Sequence, residues 1–149
     1  MKFEPKFLLL LAFLFELVGT VYVLQKEIAM RQNAESFPDC INCYLLLVAV
    51  ALLLFAFLVS RLRSNARVLS FFASIGSLVL NLFFLIDGVE KRRAVIYLVN
   101  EEILHQHYLY WEKFRFAEYS ICFASFLTII AIVFLLLQIR ERSSTPTVT

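Results

Sequence analysis

The stretch FLLLLAFLFELVGTVYVL, residues 7–24, carries one charged side chain, Glu16, in 18 positions. A hydrocarbon core takes about 20 apolar helical residues to cross. Three more runs match it, at residues 43–60, 68–86 and 119–137, each 18 or 19 long. The expected fold is an all-α membrane protein, a four-transmembrane-helix bundle. Residues 1–142 form one membrane domain, and 143–149 (SSTPTVT) a disordered cytosolic tail.

Glu16 tests whether the first run inserts. A mid-helix acid costs about 2.5–3.5 kcal/mol on insertion scales. The run holds thirteen Leu, Phe and Val residues. At about 0.3–0.6 kcal/mol each they return roughly 4–8 kcal/mol. The apolar contribution wins and carries the carboxyl in. Lys2 and Lys6 followed by residues 7–15 also resemble a signal peptide, whose cleavage would leave three spans. The residues around Gly19 make a poor cleavage site.

Composition agrees with a membrane class. The chain is 61% hydrophobic, with mean hydropathy +0.79. Fourteen basic and 12 acidic residues leave a charge of +2, which gives no basis for nucleic-acid binding.

Basic residues divide evenly between the two faces, so loop length decides orientation. The 61–67 connection is tight and purely basic, whereas acids offset the charge of loops 26–42 and 87–118. Both termini and residues 61–67 are therefore expected in the cytosol, in a plasma membrane or endomembrane. Tyr22, Tyr44, Tyr97, Tyr108, Tyr110, Trp111 and Tyr119, all the Tyr and Trp present, then fall on the outer side. Such rings prefer the wet interface. They serve as a headgroup anchor or as a partner surface, the latter comprising Tyr97, Tyr108, Tyr110, Trp111 and Phe114.

Lipid is as apolar as Leu, so small and polar residues must define the helix seams. Ser70, Ser74, Ser77 and Asn81 share one face of the third span. Ala12, Glu16, Gly19 and Thr20 share one in the first. Ser120, Ala124, Thr128 and Ala131 do so in the fourth, and Ala49, Ala56 and Ser60 in the second. Matching depths, an antiparallel pairing of spans one and three would bring Glu16 near Ser77 and Asn81. The intramembrane polar set is then Glu16, Thr20, Ser77 and Asn81. It is either a hydrogen-bonded structural carboxyl or a proton or cation site.

In the second outer loop, Ile103, His107, Trp111 and Phe114 recur at helical spacing. This predicts an amphipathic helix on the surface, or an extension of the fourth span. Cys40-Ile41-Asn42-Cys43 is a C-x-x-C at the outer mouth of span two. It reads as a structural disulfide or unpaired thiols, as a redox pair, or, with His105 and His107, as a Cys₂His₂ metal site. Cys122, inside span four, reads as an inert buried thiol.

The four-span layout, Cys40, Cys43 and Phe15-Glu16-Leu17 together resemble the bacterial disulfide-bond oxidoreductase DsbB family. That resemblance implies thiol oxidation with a quinone acceptor. The chain departs from the family in two ways. Residues 90–118 hold no second cysteine pair, and residues 44–59 hold no charge where the family has a quinone-binding Arg. Vitamin K epoxide reductases share the bundle but place their C-x-x-C at a different span. By layout alone the chain also resembles MARVEL and claudin-type tetraspans, without the claudin Trp/Cys signature or the tetraspanin Cys-Cys-Gly loop.

The expected function is a non-enzymatic organiser or accessory subunit, needing no cofactor, for trafficking, contact or complex assembly. Its partners would be the bilayer and other membrane proteins, or further copies of itself. The alternatives are a thiol–disulfide oxidoreductase using Cys40 and Cys43, and a proton-coupled carrier built on Glu16.

Overall fold

The computed structural model describes residues 4–33, 41–61, 66–97 and 114–143, with side chains placed for 4–29, 44–61, 66–88 and 114–141. The described residues form four helices: α1 (Pro5–Asn33), α2 (Ile41–Ser60), α3 (Ala66–Tyr97) and α4 (Arg115–Ser143). Three of them contain stretches long and apolar enough to cross a membrane: Pro5–Ala29, Ala66–Gly88 and Arg115–Glu141. In α2 the apolar stretch Tyr44–Ser60 is shorter.

Local chemistry accounts for the helix starts. Pro5 opens α1 at a position where its missing N–H removes no helical bond. Glu118, in the first turn of α4, lies at the positive end of that helix dipole.

The helices outrun the apolar segments that announce them. α1 continues seamlessly through Lys26 and Glu27 to Asn33, and α3 through Asp87 to Tyr97. Once nucleated, a helix lengthens by one hydrogen bond per added residue, so a polar stretch without Pro extends it. α4 begins only at Arg115, so it is α3 that projects furthest beyond its apolar run. The expected second-loop helix centred on His107 and Trp111 lies outside the described residues.

Neighbours pack in cyclic order: α1 on α2, α2 on α3, α3 on α4 and α4 on α1. Two apolar clusters show the direction of each helix. One joins Leu9 and Ala12 of α1 with Ala56 of α2, Ala73 of α3 and Leu135 of α4. The other joins Val23, Leu46, Phe84 and Ile121 of the same four helices. Residue numbers rise together on α1 and α3 and fall on α2 and α4. The bundle is therefore up-down-up-down. This corrects the antiparallel pairing expected for spans one and three, which run parallel and face each other diagonally.

The expected small-residue faces are the interior, except that Ser60 is half-buried and donates to the Phe57 carbonyl of its own helix. Ala12, Glu16, Ala49, Ala56, Ser70, Ser74, Ser77, Asn81, Ala124, Thr128 and Ala131 are all fully buried. Leu and Phe side chains cover the outside, with Phe72 and Phe83 more than 60% exposed. That is the pattern of a bundle solvated by lipid. Cys122 does not follow expectation, because it is exposed. It lies two positions from Ser120 and from Ala124, which turns it about 200° away from their seam.

Candidate functional site

Between the two apolar clusters lies a layer of polar side chains. On α1 it comprises Glu16 and Thr20, and on α3 Ser74, Ser77 and Asn81, all buried. α4 adds Ser125 and Thr128. Its centre is a hydrogen bond from Asn81 Nδ2 to Glu16 Oε2, 2.7 Å long. The bond links diagonal helices, so it passes through the middle of the bundle.

The remaining atoms of the layer are arranged around that bond. The Ser77 hydroxyl lies beside the Glu16 carboxyl, without meeting hydrogen-bond geometry. Glu16 Oε1, Asn81 Oδ1, Ser77 Oγ and Thr20 Oγ1 are buried with no hydrogen-bond partner among the described residues. Ser74 and Thr128 instead donate to carbonyls of their own helices, at Ser70 and Ala124, each at 2.8 Å. Such back-bonding satisfies a hydroxyl without a second helix. The central layer thus joins one hydrogen bond between side chains to five atoms with unused capacity, Ser125 Oγ being the fifth, closed above and below by apolar side chains. It can lock two helices in register, or hold a proton between the carboxyl and its amide and hydroxyl neighbours.

Two further bonds tie adjacent helices. Ser120 Oγ of α4 donates to the Phe15 carbonyl of α1 at 2.6 Å. Ser70 Oγ of α3 donates to the Ala56 carbonyl of α2 at 2.8 Å. Small residues permit this approach. A Cβ on Gly19 would lie 3.0 Å from Ile121 and 3.2 Å from the Ala117 carbonyl.

The structure thus brings Glu16, Ser77 and Asn81 together and buries Thr20 one turn above Glu16. The other sequence candidates fare differently. Cys40, His105, His107, Tyr108, Tyr110 and Trp111 lie outside the described residues. Cys43 and Tyr97 fall within α2 and α3, but their side chains are not among those described. Phe114 is corrected: expected on a partner surface, it is 1% exposed and packs with Phe84, Ala117 and Ile121. Placed just before α4 starts, its ring closes the end of the bundle. Among the described residues, no three His, Cys, Asp or Glu side chains cluster as metal ligands would.

Some features were missed at the level of sequence. Glu118 is buried, and its Oε1 lies only 2.7 Å from where a Cβ on Gly88 would sit. No sequence pattern links positions 30 apart on different helices, although an acid facing a glycine is a usable hint once α3 and α4 are paired. An outward groove between α1 and α4 was also missed. Of about 490 Å³, it is lined by Leu14, Phe15, Val18, Phe116, Tyr119 and Phe123. Phe15 and Phe123 meet edge-on within it, with centroids 4.7 Å apart.

Compared with protein-family models, curated proteins and solved structures, the chain finds no match in any of the three. Function must therefore be argued from the bundle itself.

Proposed function

We infer that this chain is a four-span membrane protein, with both ends cytosolic, that acts as a non-enzymatic organiser or accessory subunit for other membrane proteins. The four-span count rests on α2. It runs for 20 residues, or about 30 Å, the thickness of a hydrocarbon core. It also packs lengthwise between α1 and α3, with Leu46 in one apolar cluster and Ala56 in the other. A helix lying alongside spanning neighbours over that length shares their depth.

The observation that carries the organiser reading is the contrast between inside and outside. The polar side chains of the central layer turn inward, where Asn81 donates to Glu16 across the bundle. The apolar α1–α4 groove opens outward, toward lipid. A groove with an aromatic floor fits side chains projecting from a partner's transmembrane helix, because dispersion contacts and close approach drive association where lipid removes the hydrophobic term. Phe116 and Tyr22 extend this aromatic surface toward the outer end, with rings 5.2 Å apart.

Site-specific photo-crosslinking tests this reading. A photoreactive side chain at Val18, in the groove, should give protein adducts in cells, while one at Val79, on the outer side of α3, gives lipid adducts. A chain that purifies alone from mild detergent, with only lipid on Val18, would refute it. Orientation is checked with a thiol label that cannot cross membranes. With Cys40, Cys43 and Cys122 changed to Ser, Ser64→Cys should label only after permeabilisation, and Gln32→Cys on intact cells.

A further inference from the structure

At the inner end of the bundle, α1, α2 and α3 bring three cations to one cleft. Lys6 comes from the first turns of α1, Arg61 from just beyond α2, and Arg67 from the start of α3. The cleft has a volume of about 500 Å³. Its floor is apolar, formed by Leu10, Phe57 and Leu135. Glu4 is its one acid and pairs with Lys6. The Arg61 guanidinium lies 4.7 Å from the Phe57 ring centroid, which holds the charge over the apolar floor.

We propose that this cleft binds the phosphate headgroup of an anionic phospholipid, with an acyl chain on the apolar floor. Charge and depth both point to this ligand. Three cations against one acid leave a positive site, and the amino termini of α1 and α3 sit at the same end, with their dipoles adding to it. Arg67 and Arg61 present planar donor forks suited to phosphate oxygens. A free phosphate ion would have no use for Leu10, Phe57 and Leu135. An amphiphile uses both halves of the cleft. The site also lies where the apolar runs end, at residues 7, 60 and 137, which is the depth of lipid phosphates in a spanning bundle. Basic pockets between helices on the cytosolic side suit acidic headgroups in general. The site rests on the bilayer reading but not on the organiser role.

The test uses the full chain in phosphatidylcholine nanodiscs containing a minor share of phosphatidylglycerol. Native mass spectrometry after extraction reads which lipid stays bound. The expected result is retained phosphatidylglycerol, enriched over its share of the bilayer. Each neutralised cation should cut that enrichment about fivefold. The double variant Arg61→Gln/Arg67→Gln should therefore abolish most of it, and Lys26→Gln, at the opposite end, should leave it unchanged. Gln138→Glu places an acid in the cleft without deleting a cation and should also lower it. Equal enrichment in the wild type and both cleft variants would overturn the site. So would displacement of the lipid by inorganic phosphate, which would mark a free-anion site. Failure of the chain to enter nanodiscs would overturn the bilayer reading and this site with it. Entry without enrichment removes the site alone.

Discussion

Gly19 of α1 and Ile121 of α4 are packed so closely that a Cβ on the glycine would stand 3.0 Å from Ile121 Cγ1. The same Cβ would crowd the Ala117 carbonyl and Ser120 Cβ at 3.2 and 3.3 Å. Backbone cannot yield as a flexible side chain can, so this spot sets how near the two helices come. It also sets the Ser120 bond to the Phe15 carbonyl one turn away.

Gly19→Leu should therefore separate α1 from α4 and cost about 1–3 kcal/mol, the usual price of overpacking. Gly76→Ala is the contrast. Its Cβ would meet only Leu52 Cδ1, at 3.1 Å, the free end of a side chain that can rotate away. Thermal unfolding in mild detergent should show a clear drop for the first variant and little change for the second. Equal melting of both would mean that the α1–α4 contact is not tight.

Removing one half of the central bond should cost more than replacing it in kind. Asn81→Leu leaves the Glu16 carboxyl buried without its donor, a loss of about 1–3 kcal/mol. Glu16→Gln keeps the shape and an acceptor oxygen, and its amide can donate to the nearby Ser77 hydroxyl, so its effect should stay under about 1 kcal/mol. Glu16→Leu/Asn81→Leu should recover much of the loss of Asn81→Leu, because two apolar partners need no hydrogen bond. A double-mutant cycle on unfolding free energies measures the coupling. Zero coupling would detach Glu16 from Asn81.

Cys122 points outward, so a probe attached there meets the surroundings of the bundle. With Cys40→Ser and Cys43→Ser in the background, a fluorophore on Cys122 should be strongly quenched by brominated acyl chains. The same probe on Ala124→Cys, with Cys122→Ser added, should be quenched little from that fully buried position. Reversal of that order would place α4 with its faces exchanged.

An organiser has no use for a cycling thiol pair. Mass-tagging of free thiols after acid quench should find Cys40 and Cys43 in one fixed state under both oxidising and reducing growth. Cys40→Ser should leave partner crosslinks through Val18 intact. A pair that switches state with growth conditions would favour the oxidoreductase reading.

Much of this arrangement was visible before folding. The four apolar runs and the faces bearing Ser70, Ser74, Ser77 and Asn81, or Ala12, Glu16 and Gly19, can be read directly from residue order. They are legible because bilayer thickness imposes a length, and because only small and polar side chains have reason to turn inward. Cys122 was expected to be buried and is exposed, although 100° per residue sets it opposite Ser120 and Ala124.

Other features depend on the folded chain. Which helix lies diagonal to which follows from packing four cylinders with consecutive neighbours in contact, and an apolar run names no neighbour. The ring of Phe114 could equally lie on a surface or close the bundle, and only its contacts with Phe84 and Ile121 decide. The cleft of Lys6, Arg61 and Arg67 likewise arises because three helix ends converge. Hydrophobic length dictates that these segments become rods in lipid, but a rod carries no address for its neighbour. Close packing across Gly19 and the single bond between Glu16 and Asn81 supply that address.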